Sequence, residues 1–368
     1  MSNPVFYIAA KASGEEGGIY RYLLEGKIGA RLRGFAAQPF TNFLLYSQDG
    51  ERLYAGGGEP KQGGFAATYR IGPDGALRKE AEFAAEKSNC HLLQVGDFLY
   101  SANYHDGSFS EFRLVSGMVA EETNRIAHSG SGPVKDRQEA AHIHSCNLAP
   151  DGKYLVVLDL GSDTISSYAL SRSGVSGRPA YVAHASAGDG PRHMLFSGDG
   201  KTAYILNELS NTVGSWHYEK GKFTFLGKTS TLPRFFRGSA YAAAIRFDPA
   251  CRLIYVTNRG FDAVAVFSPE ADGALKSVSL AFAGGKVPRD GNFVSPQCYC
   301  TACEESDEVV FFDVRAGNLS PNGIRLVMPH PLYVLSGSGR PKSEKLHNTP
   351  SIRLDKKLFS RYIVGKNS

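Results

Sequence analysis

A hairpin that returns at a nearly constant interval constrains this chain more than any other feature. One copy runs from Gly188 to Tyr218 and reads GDGPRHMLFSGDGKTAYILNELSNTVGSWHY. Two short apolar runs flank a Gly-Asp-Gly-Lys turn, the pattern of two strands joined by a tight connection. The same kind of turn falls at Asp49-Gly50, Gly96-Asp97, Asp151-Gly152, Asp199-Gly200, Pro249-Ala250 and Pro296-Gln297, at spacings of 47 to 55 residues. A strand follows each turn, as in RLYAGG, FLYSAN, YLVVLD, TAYILN, LIYVTN and CYCTAC. A second alternating strand and a looser outer strand complete each unit. Four strands at this period are the signature of a propeller blade.

Six complete units are visible, and a seventh must be assembled from both ends. Val5–Ala9 and Gly18–Leu23 supply later strands without a first one, and PLYVL at Pro331 supplies a first strand without the rest. Pairing them would close the ring and remove two open sheet edges, which otherwise invite aggregation. The expected fold is therefore all-β: a seven-bladed β-propeller over residues 1–336, with four-stranded blades and a ring closed by its N- and C-terminal strands. No helix is needed inside it. Residues Ala120 to Ala140 form a longer polar insertion, expected as a loop over one face.

Residues 337–368 lie outside the repeat. This tail opens as a Ser/Gly/Pro linker, and Leu354, Leu358 and Tyr362 fall at the spacing of a short amphipathic helix. A flexible or loosely docked extension is the simpler expectation. The tail also explains the charge. The whole chain has a formal net charge of +5, but eight Lys or Arg against two acids in the tail leave the body near −1. A body of that charge is not a nucleic-acid binder. The N-terminus has no signal-peptide pattern, no run is long and apolar enough to span a bilayer, and six cysteines in 368 residues suit reduced thiols. A cytoplasmic monomer without membrane attachment is expected.

In a propeller blade the first strand lines the central channel. The start of that strand and the end of the second lie on the face opposite the hairpin turn. First-strand starts carry His91, His144, Arg192 with His193, and Arg289, and second-strand ends carry Asn103, Asp159, Glu208 and Arg259. The turn pairs on the other face carry only Asp, Gly, Pro, Ala and Gln. Such asymmetry suits a polar small-molecule site at one channel mouth. Asn103, Asn207, Asn258 and Asp159 end strands, where Asn and Asp commonly bond the following turn. Asn103, Asp159 and Asn258 nevertheless stand as substrate-binding candidates, with His91, His193 and Arg289. Arg192, Glu208 and Arg259 are harder to explain structurally, since charges are rarely buried unpaired. They mark a ligand site or a salt-bridge network. His142 and His144 form an H-x-H pair without a third metal ligand at useful spacing, and no metal or other cofactor is expected. Cys298, Cys300 and Cys303 are expected to be packed small hydrophobes.

Seven blocks in order resemble the seven-bladed propeller lactonase family, whose best-known activity is 6-phosphogluconolactonase. They are NCHL at Asn89, ANYHDGS at Ala102, HSCNLAPDGKYL at His144, DLGSDTI at Asp159, GPRHMLFSGDGKTAYILNEL at Gly190, YVTNRGFDAVAVF at Tyr255 and GGKVPRD at Gly284. The resemblance implies a site of one His, two Arg and one Glu, which fall on His144, Arg192, Glu208 and Arg259. It implies hydrolysis of a phosphorylated or carboxylated sugar lactone, 6-phosphogluconolactone in the pentose phosphate pathway being the first candidate. TACEES at Thr301 departs from the family's usual Ala-Asn-Gln type of segment, and the basic tail is outside the family pattern. Either His144 or Glu208 is the expected base, with one Arg stabilising the oxyanion and the other gripping an anionic group. The family also contains a muconate-lactonizing cycloisomerase, and propeller folds serve as non-enzymatic scaffolds too. Both remain alternatives.

Overall fold

A computed structural model describes residues 4–26, 29–59, 61–250 and 252–337. The tail and its expected helix at Leu354–Tyr362 lie outside the described residues. Seven antiparallel sheets follow one another along the chain, here numbered as blades from the first complete one. Blade one spans Thr41 to Ala85, blade two His91 to Ala127 and blade three Ile143 to His184. Blade four spans Pro191 to Ser230, blade five Tyr241 to Phe282 and blade six Pro288 to Val327. Blade seven combines Pro331–Ser336 with Val5–Ala10, Gly18–Glu25 and Gly29–Ala37. In that sheet Phe6 faces Ser336 and Ile8 faces Val334, so the N- and C-terminal strands pair antiparallel, as expected.

Within each blade the burial pattern follows the sequence pattern. Second strands such as Tyr154–Asp159 and Thr202–Asn207 are apolar on both faces and buried on both. Outer strands such as Lys222–Ser230 alternate and keep one face in water. The core consists of layers between blades. Tyr204, Leu206 and Val213 of blade four pack against Ile254, Val256 and Phe267 of blade five. Blade seven packs Phe6 and Ile8 against Phe311 and Cys300 of blade six. Its Tyr7 and Ile19 pack against Leu44 and Leu53 of blade one. Cys298 and Cys300 share one layer and Cys303 faces the other, all buried as small hydrophobes.

The hairpin turns form for a local reason. In blade four Ser197 donates to Asp199 Oδ1, which also accepts from the Lys201 amide, and Gly200 takes φ +72°. A side chain at Gly200 would be strained there.

A second repeated corner matters more for the site. Between the second and third strands the chain adopts a left-handed residue at Gly107, Asp163, Asn211, Asp262 and Asp307. Four of these side chains reach across to the segment leading into the next blade's first strand. Asp163 accepts from the Gly188 and Gly190 amides, Asn211 donates to Ala240 O, Asp262 accepts from Val287 N, and Asp307 from His330 N. Each corner thus fixes where the following first strand begins.

One expectation is corrected. The insertion from Ala120 is not a loop at its start, because Met118–Ala127 is the outer strand of blade two. Its exposed face carries polar residues, which hid the strand in the sequence. The loop proper runs from 128 to 142. Its fold is held by Gln138, fully buried, whose amide donates to Leu160 O and whose Oε1 accepts from Val134 N. Among the described residues no helix is long and apolar enough to cross a membrane.

Candidate active site

The end of blade four's second strand places Glu208 at the channel mouth. Its amide donates to Gly190 O at 2.8 Å and its carbonyl accepts from Ala242 N at 3.2 Å. Glu208 is therefore tied to the beginnings of two adjacent first strands. Its side chain is 2% exposed. Buried charges persist only when paired, and three guanidinium groups pair with this one.

Arg192 Nε donates to Glu208 Oε2 at 2.8 Å. Arg259 Nη2 lies 3.0 Å from the same oxygen. Its N–H bonds are not aimed along that line, so Nη2 remains a buried donor without a hydrogen bond. Arg137 donates to Oε1 from the other side, and to Tyr104 Oη at 3.3 Å. His144 Nε2 stands 4.0 Å from Oε2. Four of the sequence-derived candidates, His144, Arg192, Glu208 and Arg259, thus converge within direct reach of one carboxylate.

Electrostatics set the protonation states. Burial alone would raise the Glu208 carboxyl, but the fields of Arg259, Arg192 and Arg137 outweigh it and hold the group well below its ordinary range. Burial, reinforced by Arg192, drives the His144 imidazole well below its usual value despite the nearby Glu208. At neutral pH the site therefore pairs an ionised carboxylate with a neutral imidazole. Burial pulls Arg192 down to about 9, still protonated at neutral pH.

A cavity of about 260 Å³ opens beside this cluster. Glu208, His144, Arg137, Arg259 and Arg289 line it with Tyr104, Asn89 and Cys90. Lys11 and Glu304 complete its charges, giving four cations against two carboxylates in the wall. Arg289 is only loosely held, 3.8 Å from Glu304. The cavity favours an anionic ligand.

The remaining candidates divide into two groups. His193 and His91 lie outside the cavity wall. The His144 and His193 rings are 5.2 Å apart, and those of His193 and His91 are 5.7 Å apart. Arg192 Nη1 lies 3.0 Å from His193 Nδ1 and also donates to Ala243 O. With these bonds and Glu208, Arg192 is turned inward and is absent from the cavity wall. Asn103, Asp159 and Asn258 do not reach the cavity at all. Asn103 bonds Ser101, Ser108 and Ser110 within its own blade. Asp159 accepts from the His142, Gly161 and Ser162 amides and contacts His128 Nδ1 at 3.0 Å. Asn258 bonds Thr231. They serve corners and strand ends, the role their positions ordinarily imply.

His142 does not join His144. Its two ring nitrogens lie 2.9 Å from Tyr104 O and 2.9 Å from Glu139 Oε1. The register shift between Ile143 and Ser145 breaks the simple alternation that would put both imidazoles on one face. Among the described residues no group of three or more His, Cys, Asp or Glu is arranged to hold a metal ion.

Several wall residues escaped the sequence reading, Tyr104, Asn89 and Arg137 among them. Tyr104 and Asn89 fall inside the blocks ANYHDGS and NCHL, so position in the repeat offered a signal for them. Arg137 comes from the loop at 128–142, which has no counterpart in the other units. Nothing in its local pattern distinguishes it from the surrounding polar residues.

Seven antiparallel blades with a charged pocket at the mouth of the channel define a β-propeller. The chain belongs to the family described as lactonase, 7-bladed β-propeller, which it matches over residues 5–336. An uncharacterized protein of Staphylococcus epidermidis is 32% identical over 320 residues, covering 83% of this chain and 92% of that one. Among solved structures, a periplasmic gluconolactonase of Pseudomonas aeruginosa superposes with a TM-score of 0.85 at 25% identity, covering 91% of this chain and 99% of that one. A candidate 6-phosphogluconolactonase of Bacteroides uniformis gives a TM-score of 0.84 at 26% identity, covering 92% and 100%.

Proposed function

We propose that this protein hydrolyses a phosphorylated sugar lactone, 6-phosphogluconolactone being the substrate that best suits the site. The observation carrying this reading is the neutral His144 beside an ionised, buried Glu208 at the wall of a cation-rich cavity. The family and the gluconolactonase from Pseudomonas aeruginosa support the reaction class.

Lactone hydrolysis needs an activated water, a stabilised oxyanion and a proton for the departing ring oxygen. Both Glu208 oxygens are engaged by guanidinium groups, which leaves His144 as the group in the cavity wall placed to accept a proton. His144 is unprotonated and takes the proton as water oxygen attacks the carbonyl carbon. Glu208, 4.0 Å from Nε2, then stabilises the imidazolium. Arg259 lines the cavity beside Glu208, and its guanidinium is the group placed to stabilise the oxyanion. As the intermediate collapses, the bond from carbonyl carbon to ring oxygen breaks, and the imidazolium returns the proton to that oxygen. Arg192 is a positioning residue, its Nε on Glu208 and its Nη1 on the Ala243 carbonyl. Arg289 and Lys11 face the substrate's anionic group.

Steady-state assay of the purified protein on 6-phosphogluconolactone, gluconolactone and a muconate tests the reading. The phosphorylated lactone should be hydrolysed with the highest kcat/KM. His144→Ala should lower kcat by ~10²-fold or more. Arg259→Ala should lower kcat more than it raises KM, with its folded content unchanged by circular dichroism. Muconate turnover without lactone hydrolysis would replace this reading with the cycloisomerase.

A further inference from the structure

Arg137 holds a position that the blade repeat does not supply. It projects from the loop at 128–142, whose base is pinned at several points. Gln138 bonds Leu160 O, the His142 amide bonds Asp159, and the amides of Arg137 and Gln138 both donate to Val134 O. The loop is a built strap over the mouth, and its one cation reaching into the cavity wall is Arg137.

The partners of this guanidinium are unusual. It contacts Glu208 Oε1, the carboxylate oxygen that Arg192 and Arg259 leave alone. It also donates to Tyr104 Oη and lies over the Tyr241 ring at 5.1 Å, a ring it shares with Arg259 at 5.8 Å. Glu208 carries one negative charge and already has two cations on Oε2. A third cation is worth less there than against a fresh anion, because each added guanidinium also repels the other two. Its side chain is 27% exposed while those of Arg192 and Glu208 are nearly fully buried. It is the cation of the cluster with most room to turn. The Tyr104 hydroxyl and the Tyr241 face would continue to support it after it leaves the carboxylate.

We infer that Arg137 is the specificity-determining residue of this site: it exchanges Glu208 Oε1 for the anionic group of the incoming substrate. The exchange couples recognition to the reacting groups. Once Arg137 turns to the substrate, Oε1 loses its partner and the Glu208 charge acts more strongly on His144. A lactone without the extra anion leaves Arg137 on Glu208, and His144 receives less help. The inference rests on the lactonase reading for its kinetic consequence, but the anion exchange itself does not.

Two arms separate these. In the first, kcat/KM is measured on 6-phosphogluconolactone and gluconolactone for wild type, Arg137→Ala and Arg137→Lys. The preference for the phosphorylated substrate should fall ~10-fold or more in Arg137→Ala, the size expected for one charge-assisted hydrogen bond. Arg137→Lys should recover part of that preference. Turnover of gluconolactone should rise in Arg137→Ala, because Oε1 is then released without any substrate anion, whereas a merely structural role would lower turnover of both lactones alike. In the second arm, binding of inorganic phosphate is measured by calorimetry. Affinity should fall by a similar factor in Arg137→Ala, at unchanged melting temperature. An unchanged substrate preference together with unchanged phosphate affinity would overturn the inference. If the wild type hydrolyses neither lactone, the functional reading fails, and the phosphate arm alone decides the role of Arg137.

Discussion

At the scale of single residues, the site concentrates groups that resist protonation. His144 and His193 are both driven well below their ordinary range, and His91 to about 3, in each case first by burial and then by neighbouring cations. An unfolded histidine takes up a proton near pH 6.5. These folded ones do not, so the unfolded chain binds more protons below that pH. The stability they contribute is whole above pH 6.5 and is lost as pH falls toward their folded values. Each ring that stays neutral steepens that loss as pH falls. Glu208 acts over a different range, its contribution being lost only in strong acid, below the ordinary carboxylate range. Urea denaturation should therefore show similar stability at pH 8 and 7 and a steep loss between pH 6 and 5. His193→Gln should flatten that slope by about a third. Equal stabilities at pH 7.5 and 5.5 would mean that these rings are charged or exposed.

Elements position these residues through the left-handed corners. Asp163 sits at φ +54° and each of its oxygens accepts a backbone amide at 2.7 Å, from Gly188 and Gly190. Those amides belong to the segment that delivers Arg192. Replacing Asp163 by Ala removes both bonds and leaves a Cβ in an unfavourable conformation. The expected cost is about 2–3 kcal/mol for the bonds, since the Asp Cβ already bears the left-handed strain. Asp163→Gly loses the bonds but not the backbone fit, so it should be about 1 kcal/mol more stable than Asp163→Ala in chemical denaturation. Identical stabilities for the two variants would argue that the corner is not strained. The strap at 128–142 works differently. It is held by Gln138 and His142 rather than by a repeated corner, so the same chemistry is achieved without a recognisable pattern.

For the whole molecule, the seventh blade is the critical assembly. Pro331–Ser336 pairs with Val5–Ala10, and the blade they share packs on both blade six and blade one. A chain ending at Met328 loses that strand and leaves the edge of Val5–Ala10 open. Its melting temperature should drop sharply, with aggregation on heating. A chain lacking residues 339–368 should keep both the melting temperature and the turnover of the full protein. A stable chain ending at Met328 would count against closure through this strand. Loss of turnover on removing the tail alone would show that it acts on the site.

The architecture was legible because a blade is specified locally. Turn residues, alternating strands and a constant period lie within about fifty residues of one another, and the hairpin places first-strand starts beside second-strand ends. That rule alone brings His144, Arg192, Glu208 and Arg259 to one mouth. It also collected Asn103, Asp159 and Asn258, because a strand end looks the same in sequence whether its side chain turns to the cavity or to its own corner. Only tertiary packing decides that. It also turned Arg192 inward, left a donor of Arg259 without a hydrogen bond, and brought Arg137 to Glu208 across 71 residues of chain. Contacts between blades depend on distance in space, for which local pattern carries no signal. Residues outside the repeat could therefore be placed only by the fold itself.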